Sequence, residues 1–181
     1  MKKQDTLVVA LYAGPGTGKS SSMAGIFSEL KWLGVNCEMA PEFAKEKVWE
    51  KSLAILSNQI YVFGKQLHTL VRVMGQVDVV ITDSPLLLSL IYGHRECKEF
   101  HDLVLAVNNR YRMMNVFLRR HKKYNPAGRL QTEEEARTID GKILDMLQSN
   151  DIPFTTVDSG RNAVQEIVQM VLSELGSKAS A

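Results

Sequence analysis

The amino-acid sequence predicts an α/β domain in which a parallel β-sheet lies between two layers of helices. Five short segments with the composition of strands alternate with helical segments along the chain. The first of them, residues 6–12, is an almost uninterrupted apolar run, which is typical of a central parallel strand buried on both faces. A glycine-rich turn and a helix follow this run directly. Together these observations predict a three-layer architecture.

Composition narrows the class of protein. The chain has 181 residues, 45% hydrophobic and 23% charged, which predicts one domain over residues 1–176 and a flexible tail over 177–181. The formal net charge of +2 does not by itself favour a nucleic-acid or membrane partner. Two cysteines are too few for a disulfide framework, so we expect a cytoplasmic protein. No apolar stretch approaches the roughly 20 residues of a membrane-spanning helix.

The apolar pattern assigns the remaining elements in order. Strands are predicted over residues 6–12, 35–39, 77–82, 116–118 and 153–157. Helices are predicted over residues 19–33, 42–50, 52–74, 85–92, 98–109, 132–147 and 163–175. Thr132 fits the N-cap of the sixth helix, with Glu135 completing a capping box.

The glycine-rich turn has the composition of a phosphate-binding loop. It reads Ala13-Gly14-Pro15-Gly16-Thr17-Gly18-Lys19-Ser20, with alanine where the usual P-loop pattern opens with glycine. Glycines let backbone N–H groups turn toward phosphates, and the following helix N-terminus adds partial positive charge. Lys19 is expected to reach the β- and γ-phosphates of ATP, and Ser20 to bind Mg²⁺. The predicted nucleotide-binding residues are Gly14, Pro15, Gly16, Thr17, Gly18, Lys19, Ser20 and Ser21.

An acidic residue follows the third predicted strand. Asp83 comes directly after the apolar residues 79–82, a position from which a carboxylate can bind Mg²⁺ through water. Asp83 also fits the cap of the helix predicted from Pro85. We therefore expect Ser20 and Asp83 to form the metal site, with helix capping as the alternative for Asp83.

A second carboxylate follows the second predicted strand. Glu42 would lie beside the P-loop, where a kinase needs a group that accepts the proton of the attacking hydroxyl. The alternative is an acidic residue in a first helical turn, favoured there by the macrodipole, and Glu46 fits either role. We assign Glu42 to catalysis, although Asp83 also remains a candidate base.

A basic segment follows the fourth predicted strand. Residues 119–129 contain Arg119, Arg120, His121, Lys122, Lys123 and Arg129 around a Pro/Gly turn. A cationic lid over residues 119–131 would neutralise the transferring phosphoryl group and exclude water. We select Arg119 and Arg129 as catalytic, because arginine suits bidentate phosphate contacts. The alternative is a solvated basic loop.

With these residues in hand, the chain resembles the small P-loop nucleoside and nucleotide kinases. It is most similar to the ribosylnicotinamide-kinase-like ATP-binding proteins often found in phage genomes. The matching pieces are the P-loop, residues 42–46, residues 83–85 and the basic segment. The resemblance implies the P-loop NTPase fold with sheet order 2-3-1-4-5, a mobile lid, and Glu42 as the base. Many nucleoside kinases carry an acidic residue and arginine after strand three, where this chain has Asp83-Ser84.

These observations lead to three functional hypotheses. The first is an ATP- and Mg²⁺-dependent phosphotransferase acting on a nucleoside- or nucleotide-like small molecule. The second is a kinase that phosphorylates a 5′ end or modified base of DNA or RNA. The third is an ATPase or nucleotide-dependent switch without a small-molecule acceptor. The sequence predicts neither the acceptor nor the oligomeric state.

Overall fold

A five-stranded parallel sheet forms the centre of the protein. A computed structural model describes residues 5–93, 95–121, 124 and 132–179. The strands are β1 Leu7–Tyr12, β2 Cys37–Ala40, β3 Val79–Thr82, β4 Arg112–Arg119 and β5 Thr155–Asp158. They are ordered β2-β3-β1-β4-β5, and every neighbouring pair is parallel. The predicted fold class and the sheet order implied by the resemblance are confirmed.

Helices cover both faces of this sheet. They are α1 Lys19–Trp32, α2 Phe43–Trp49, α3 Gln59–Val71, α4 Leu88–Tyr92, α5 Lys98–Asn108, α6 Glu133–Ser149 and α7 Arg161–Ala179. Buried residues of α1 and α7 form the core on one face, and those of α3 to α6 form the core on the other. Thr132 and Glu135 form the predicted capping box at the start of α6.

The burial of β1 on both faces explains why its sequence is apolar throughout. All six residues of β1 are buried. Leu7, Val9 and Leu11 belong to the core beneath α1 and α7, whereas Val8, Ala10 and Tyr12 belong to the opposite core. Since successive side chains of a strand point to opposite faces, a strand covered on both sides needs apolar residues at every position.

The α1 and α7 helices pack closely against each other. A Cβ atom added at Gly25 of α1 would lie 2.8 Å from Cγ2 of Val164 in α7, and real Cβ atoms do not make contacts this short. The absence of a side chain at Gly25 therefore permits this close approach. The helix that begins with the P-loop lysine is thus supported by α7.

Two predicted elements have different bounds in the structure. The helix predicted over residues 52–74 is divided into a 3-10 helix, Leu53–Ser57, and α3. The division occurs at Asn58, whose side chain accepts the N–H of Tyr61 at 3.0 Å and caps α3. The fourth strand has eight residues rather than the predicted three, because β4 pairs with the whole of β1.

The chain's last helix extends into the segment predicted as a tail. The α7 helix continues through Ala179, so residues 177–179 are helical.

Arg129 and most of the predicted lid lie outside the described residues. Within the described part of the chain, no helix combines the length and apolar character needed to cross a bilayer.

Candidate functional site

The P-loop connects β1 to α1 at the carboxyl edge of the sheet. Gly16 and Gly18 have φ values of 80° and 112°, in the region that favours glycine over residues with a side chain. The Oγ1 atom of Thr17 is buried and donates a hydrogen bond to the Gly14 carbonyl at 3.1 Å. A turn of this kind leading into a helix N-terminus is an anion-binding arrangement.

Lys19 folds back over this loop. Its Nζ atom donates to the carbonyl oxygens of Ala13 at 2.7 Å and Gly14 at 3.2 Å. Burial lowers the pKa of Lys19, while the nearby carboxylates of Glu42, Asp83 and Asp140 act in the opposite direction. The structure therefore brings both sequence-predicted carboxylates, Glu42 and Asp83, into the electrostatic environment of the P-loop lysine.

Ser20 and Asp83 form a contact across the sheet edge. The Ser20 hydroxyl donates to Oδ2 of Asp83 at 2.5 Å, and Asp83 is only 1% exposed. Its Oδ1 atom is buried without a hydrogen-bond partner among the described residues. These hard oxygen atoms fit Mg²⁺, which typically takes few protein ligands together with water and phosphate oxygens. No cluster of three His, Cys, Asp or Glu residues suited to a metal occurs in the described ranges.

The capping alternative for Asp83 does not match the structure. The next helix, α4, begins at Leu88, and Leu87 is its N-cap residue. Asp83 instead lies at the end of β3, where the Thr82 side chain accepts the N–H of Ser84 at 3.2 Å. The Asp83 carboxylate is thereby left on the P-loop side of the turn, in contact with Ser20.

Glu42 precedes α2 in a segment that is held from both sides. The Gln66 side chain donates to the Pro41 carbonyl at 3.2 Å and accepts the Phe43 N–H at 3.0 Å. Gln66 is 5% exposed. Glu42 is the N-cap residue of α2, but its side chain makes no capping hydrogen bond. Its backbone is thus fixed by α3, and its carboxylate does not cap α2 through a hydrogen bond.

Sequence reasoning did not select two further side chains that belong to this site. Nζ of Lys45, one turn along α2, donates to the Ser20 hydroxyl at 3.4 Å. Burial raises the pKa of Tyr92, with Glu42 and Asp140 contributing in the same direction. The i, i+3 spacing of Glu42 and Lys45 was a signal available in the sequence. Tyr92, at the end of α4, had none.

The two adjacent arginines after β4 have different environments. Arg119, selected from the sequence, is 62% exposed and forms an ion pair with Asp158 at 2.5 Å. Arg120 is 4% exposed, and its Nε atom donates to Oδ2 of Asp140 at 2.8 Å. Both Nη atoms of Arg120 are buried without a partner among the described residues. Arg120, rather than Arg119, therefore has its guanidinium directed into the site.

Asp140 of α6 completes this arrangement. Its Oδ1 atom accepts the backbone N–H of Gly14 at 2.5 Å. A Cβ atom added at Gly14 would lie 2.4 Å from the Ala136 carbonyl oxygen and 2.9 Å from that carboxylate. In the sequence, Asp140 is a charged residue at the helical spacing of the buried positions Ala136, Ile143 and Leu147. The sequence analysis did not select it.

Comparisons with known proteins agree with the fold. A family model described as an AAA domain matches residues 8–166. Deoxyadenosine kinase from M. mycoides with bound dCMP and dCDP matches with a TM-score of 0.56 and 19% identity, over 94% of this chain and 99% of that one. The same kinase with dATP gives 0.54 and 18%, over 93% and 99%.

A second solved protein is similar over part of its length. NadR in complex with NR matches with a TM-score of 0.65 and 13% identity, over 95% of this chain. This chain spans about half of that protein, 52%. No curated protein sequence matches. At these identities, the solved structures show a shared P-loop kinase fold.

Proposed function

We propose that this chain, which belongs to the AAA domain family, is an ATP- and Mg²⁺-dependent kinase. Its acceptor is a nucleoside- or nucleotide-like molecule. One observation carries the proposal. The Ser20 hydroxyl, directly after Lys19, donates to the buried Asp83 carboxylate, and both Asp83 and Glu42 lie in the electrostatic environment of Lys19. The phosphate, metal and acceptor sides of a phosphoryl transfer therefore meet around one amino group.

The P-loop and two cations hold the triphosphate in this proposal. Lys19 contacts the β- and γ-phosphates, leaving the Ala13 and Gly14 carbonyls that it contacts here. Arg120 supplies the second charge, because its buried Nη donors have no partner within the described residues. Ser20 and Asp83 would hold Mg²⁺, which supplies neutralisation of the phosphate charge. Arg129 stays a candidate lid residue by resemblance.

Glu42 serves the acceptor. The acceptor oxygen forms a bond to the γ-phosphorus as the bond between that phosphorus and the β,γ-bridging oxygen breaks, and ADP leaves. Glu42 accepts the acceptor's hydroxyl proton. Asp83 is less suited to this step, because one of its oxygens is engaged by Ser20 and the residue is buried. The protein's contribution is chiefly positioning and charge neutralisation.

The acceptor class rests on shared fold and local chemistry. The solved proteins of similar structure were determined with dCMP and dCDP, with NR, or with dATP. Beside Glu42, the rings of Phe43 and Tyr61 form an edge-to-face pair with centroids 5.9 Å apart. This aromatic pair offers an apolar surface next to the proposed base, as a nucleoside-like acceptor requires.

A transfer assay tests the proposal. The protein is incubated with γ-labelled ATP and Mg²⁺ and with nucleosides, nucleoside monophosphates, nicotinamide riboside, or DNA and RNA with 5′-hydroxyl ends. We expect label on a small nucleoside-like acceptor. Label only on a polynucleotide would support the second hypothesis instead. Free phosphate with every acceptor unlabelled would identify an ATPase or switch and contradict the kinase proposal.

The role of Glu42 has its own matched pair of variants. Glu42→Gln should reduce transfer by about 10²- to 10⁴-fold, the usual contribution of a general base, while the dissociation constant for ATP stays within about twofold. Glu99→Gln, at an exposed position on α5, is the control and should keep full activity. Equal losses in both variants would remove Glu42 from the acceptor step.

A further inference from the structure

A carboxylate of α6 joins the P-loop to the buried arginine that follows β4. Asp140 accepts the Gly14 N–H with one oxygen at 2.5 Å and the Arg120 Nε–H with the other at 2.8 Å. The side chains of Asp140 and Arg120 are 15% and 4% exposed.

The position of this negative charge needs an explanation. A carboxylate beside a triphosphate site opposes anion binding, so its cost must be offset by what it holds in place. Asp140 engages only the Nε–H of Arg120, and the two Nη groups remain buried without partners among the described residues. Buried donors left unpaired are unfavourable, and charged ones are more so.

The surroundings of Arg120 indicate which ligand its two Nη groups would bind. Arg120 acts on Lys19 by like-charge repulsion, lowering the pKa of that amino group. Lys19 contacts the Gly14 carbonyl, and Asp140 joins the Gly14 N–H to Arg120. Two cations placed on either side of Gly14 favour an anion near both. Since Lys19 belongs to the P-loop, phosphate is the anion that this pair suits. The planar guanidinium can contact it through two parallel N–H bonds.

We infer that Asp140 is a positioning residue for ATP, and this inference rests on the proposed function. It aims the Nη atoms of Arg120 at the γ-phosphate while fixing the first turn of the P-loop through Gly14. Asp140 makes no contact with substrate itself. The α6 helix thereby links Arg120, which follows β4, to the P-loop. The positions of both are therefore fixed before the nucleotide binds.

A double-mutant cycle on the full chain tests this coupling. Asp140→Asn keeps an oxygen for the Gly14 N–H but removes the charge that holds Arg120. Each of Asp140→Asn and Arg120→Ala should lower kcat/KM for ATP by about 10- to 100-fold, the range for one hydrogen bond to a charged group. The KM for the acceptor should stay unchanged. The double variant should be no worse than Arg120→Ala alone.

Asp145→Asn is the matched control, because Asp145 is an exposed carboxylate on the same helix. It should match the wild type in every measurement. Melting temperatures of all variants show whether folding is retained. Additive losses in the double variant, or Asp140→Asn with wild-type kinetics, would overturn the inference. If Arg120→Ala does not fold, Arg120→Lys replaces it in the cycle, since it keeps the charge and loses the planar fork.

Binding measurements separate this inference from the kinase proposal. Asp140→Asn should weaken MgATP at least 10-fold but MgADP much less, because Arg120 is directed at the γ-phosphate. This difference is measurable by calorimetry without any acceptor. If the chain transfers phosphate to nothing yet shows the ATP-over-ADP loss, the kinase proposal fails and the role of Asp140 stands. Equal weakening of both nucleotides contradicts it.

Discussion

Burial and charge act in opposite directions on the Lys19 amino group. Burial is the larger effect and lowers its pKa, whereas Glu42, Asp83 and Asp140 raise it. A charged amine in such a position needs anionic partners, and the three carboxylates supply them before ATP is bound. The phosphates of ATP then add further negative charge, so the ammonium form of Lys19 is favoured when nucleotide binds.

At the residue scale, Asp83 gives the clearest test of the metal site. Asp83→Asn keeps an acceptor for the Ser20 hydroxyl but removes the negative charge. We expect the Mg²⁺ concentration for half-maximal activity to rise by about 10- to 100-fold. The measurement is a Mg²⁺ titration at saturating ATP. Asp78→Asn, an exposed carboxylate at the start of the same strand, should titrate like the wild type. An unchanged Mg²⁺ requirement in Asp83→Asn would contradict the assignment.

At the element scale, α2 and α3 are joined by the Gln66 side chain. Both of its hydrogen bonds go to backbone atoms on either side of Glu42. Because Gln66 is buried, water cannot replace these contacts easily. The position of the proposed base is therefore determined by a residue on the neighbouring helix.

Gln66→Leu should affect catalysis more than nucleotide binding. The substitution leaves the Phe43 N–H and the Pro41 carbonyl unpaired, which should lower the free energy of unfolding by about 1–3 kcal/mol. We also expect a tenfold or greater loss of kcat with the ATP dissociation constant unchanged, since a small displacement of a base costs rate. Gln76→Leu, at an exposed position, is the control. A loss of ATP affinity in Gln66→Leu would show that its effect extends to the P-loop.

At the scale of the whole molecule, the sheet edge gathers residues that are distant in sequence. Ser20 lies 63 positions from Asp83, and Gly14 lies 126 positions from Asp140. A nucleotide that contacts the P-loop, Asp83 and Arg120 together should therefore stabilise the fold globally. Its effect on unfolding follows from its affinity for the folded state alone.

MgATP should raise the melting temperature. At a concentration 100 times its dissociation constant, it adds about 2.7 kcal/mol, and for a chain of this size that corresponds to roughly 5–10 °C. Differential scanning fluorimetry with and without MgATP measures the shift. Lys19→Ala should abolish it while remaining folded. No shift in the wild type, at any MgATP concentration, would contradict nucleotide binding.

The sequence was most informative where one rule dominated locally. The apolar run of β1 predicted a buried central strand, and the glycine spacing predicted the P-loop. Glu42 and Asp83 were selected because each follows a predicted strand, Glu42 beside the P-loop and Asp83 where a carboxylate can bind Mg²⁺ through water. The choice between Arg119 and Arg120 depended on which of the two side chains points into the site. In the folded chain Asp158 pairs with Arg119 at the surface, and Asp140 pairs with the buried Arg120. Gln66 and Asp140 act through contacts that no local pattern displays.

The packing of α1 on α7 has a consequence for synthesis. Residues 13–20 of the P-loop are translated long before Val164, and Gly25 can meet Val164 only after that part of α7 has left the ribosome. A nascent chain stalled before that point would carry the phosphate-binding residues without the helix that supports them. Retention on immobilised ATP would then distinguish chains that contain α7 from chains stalled before it.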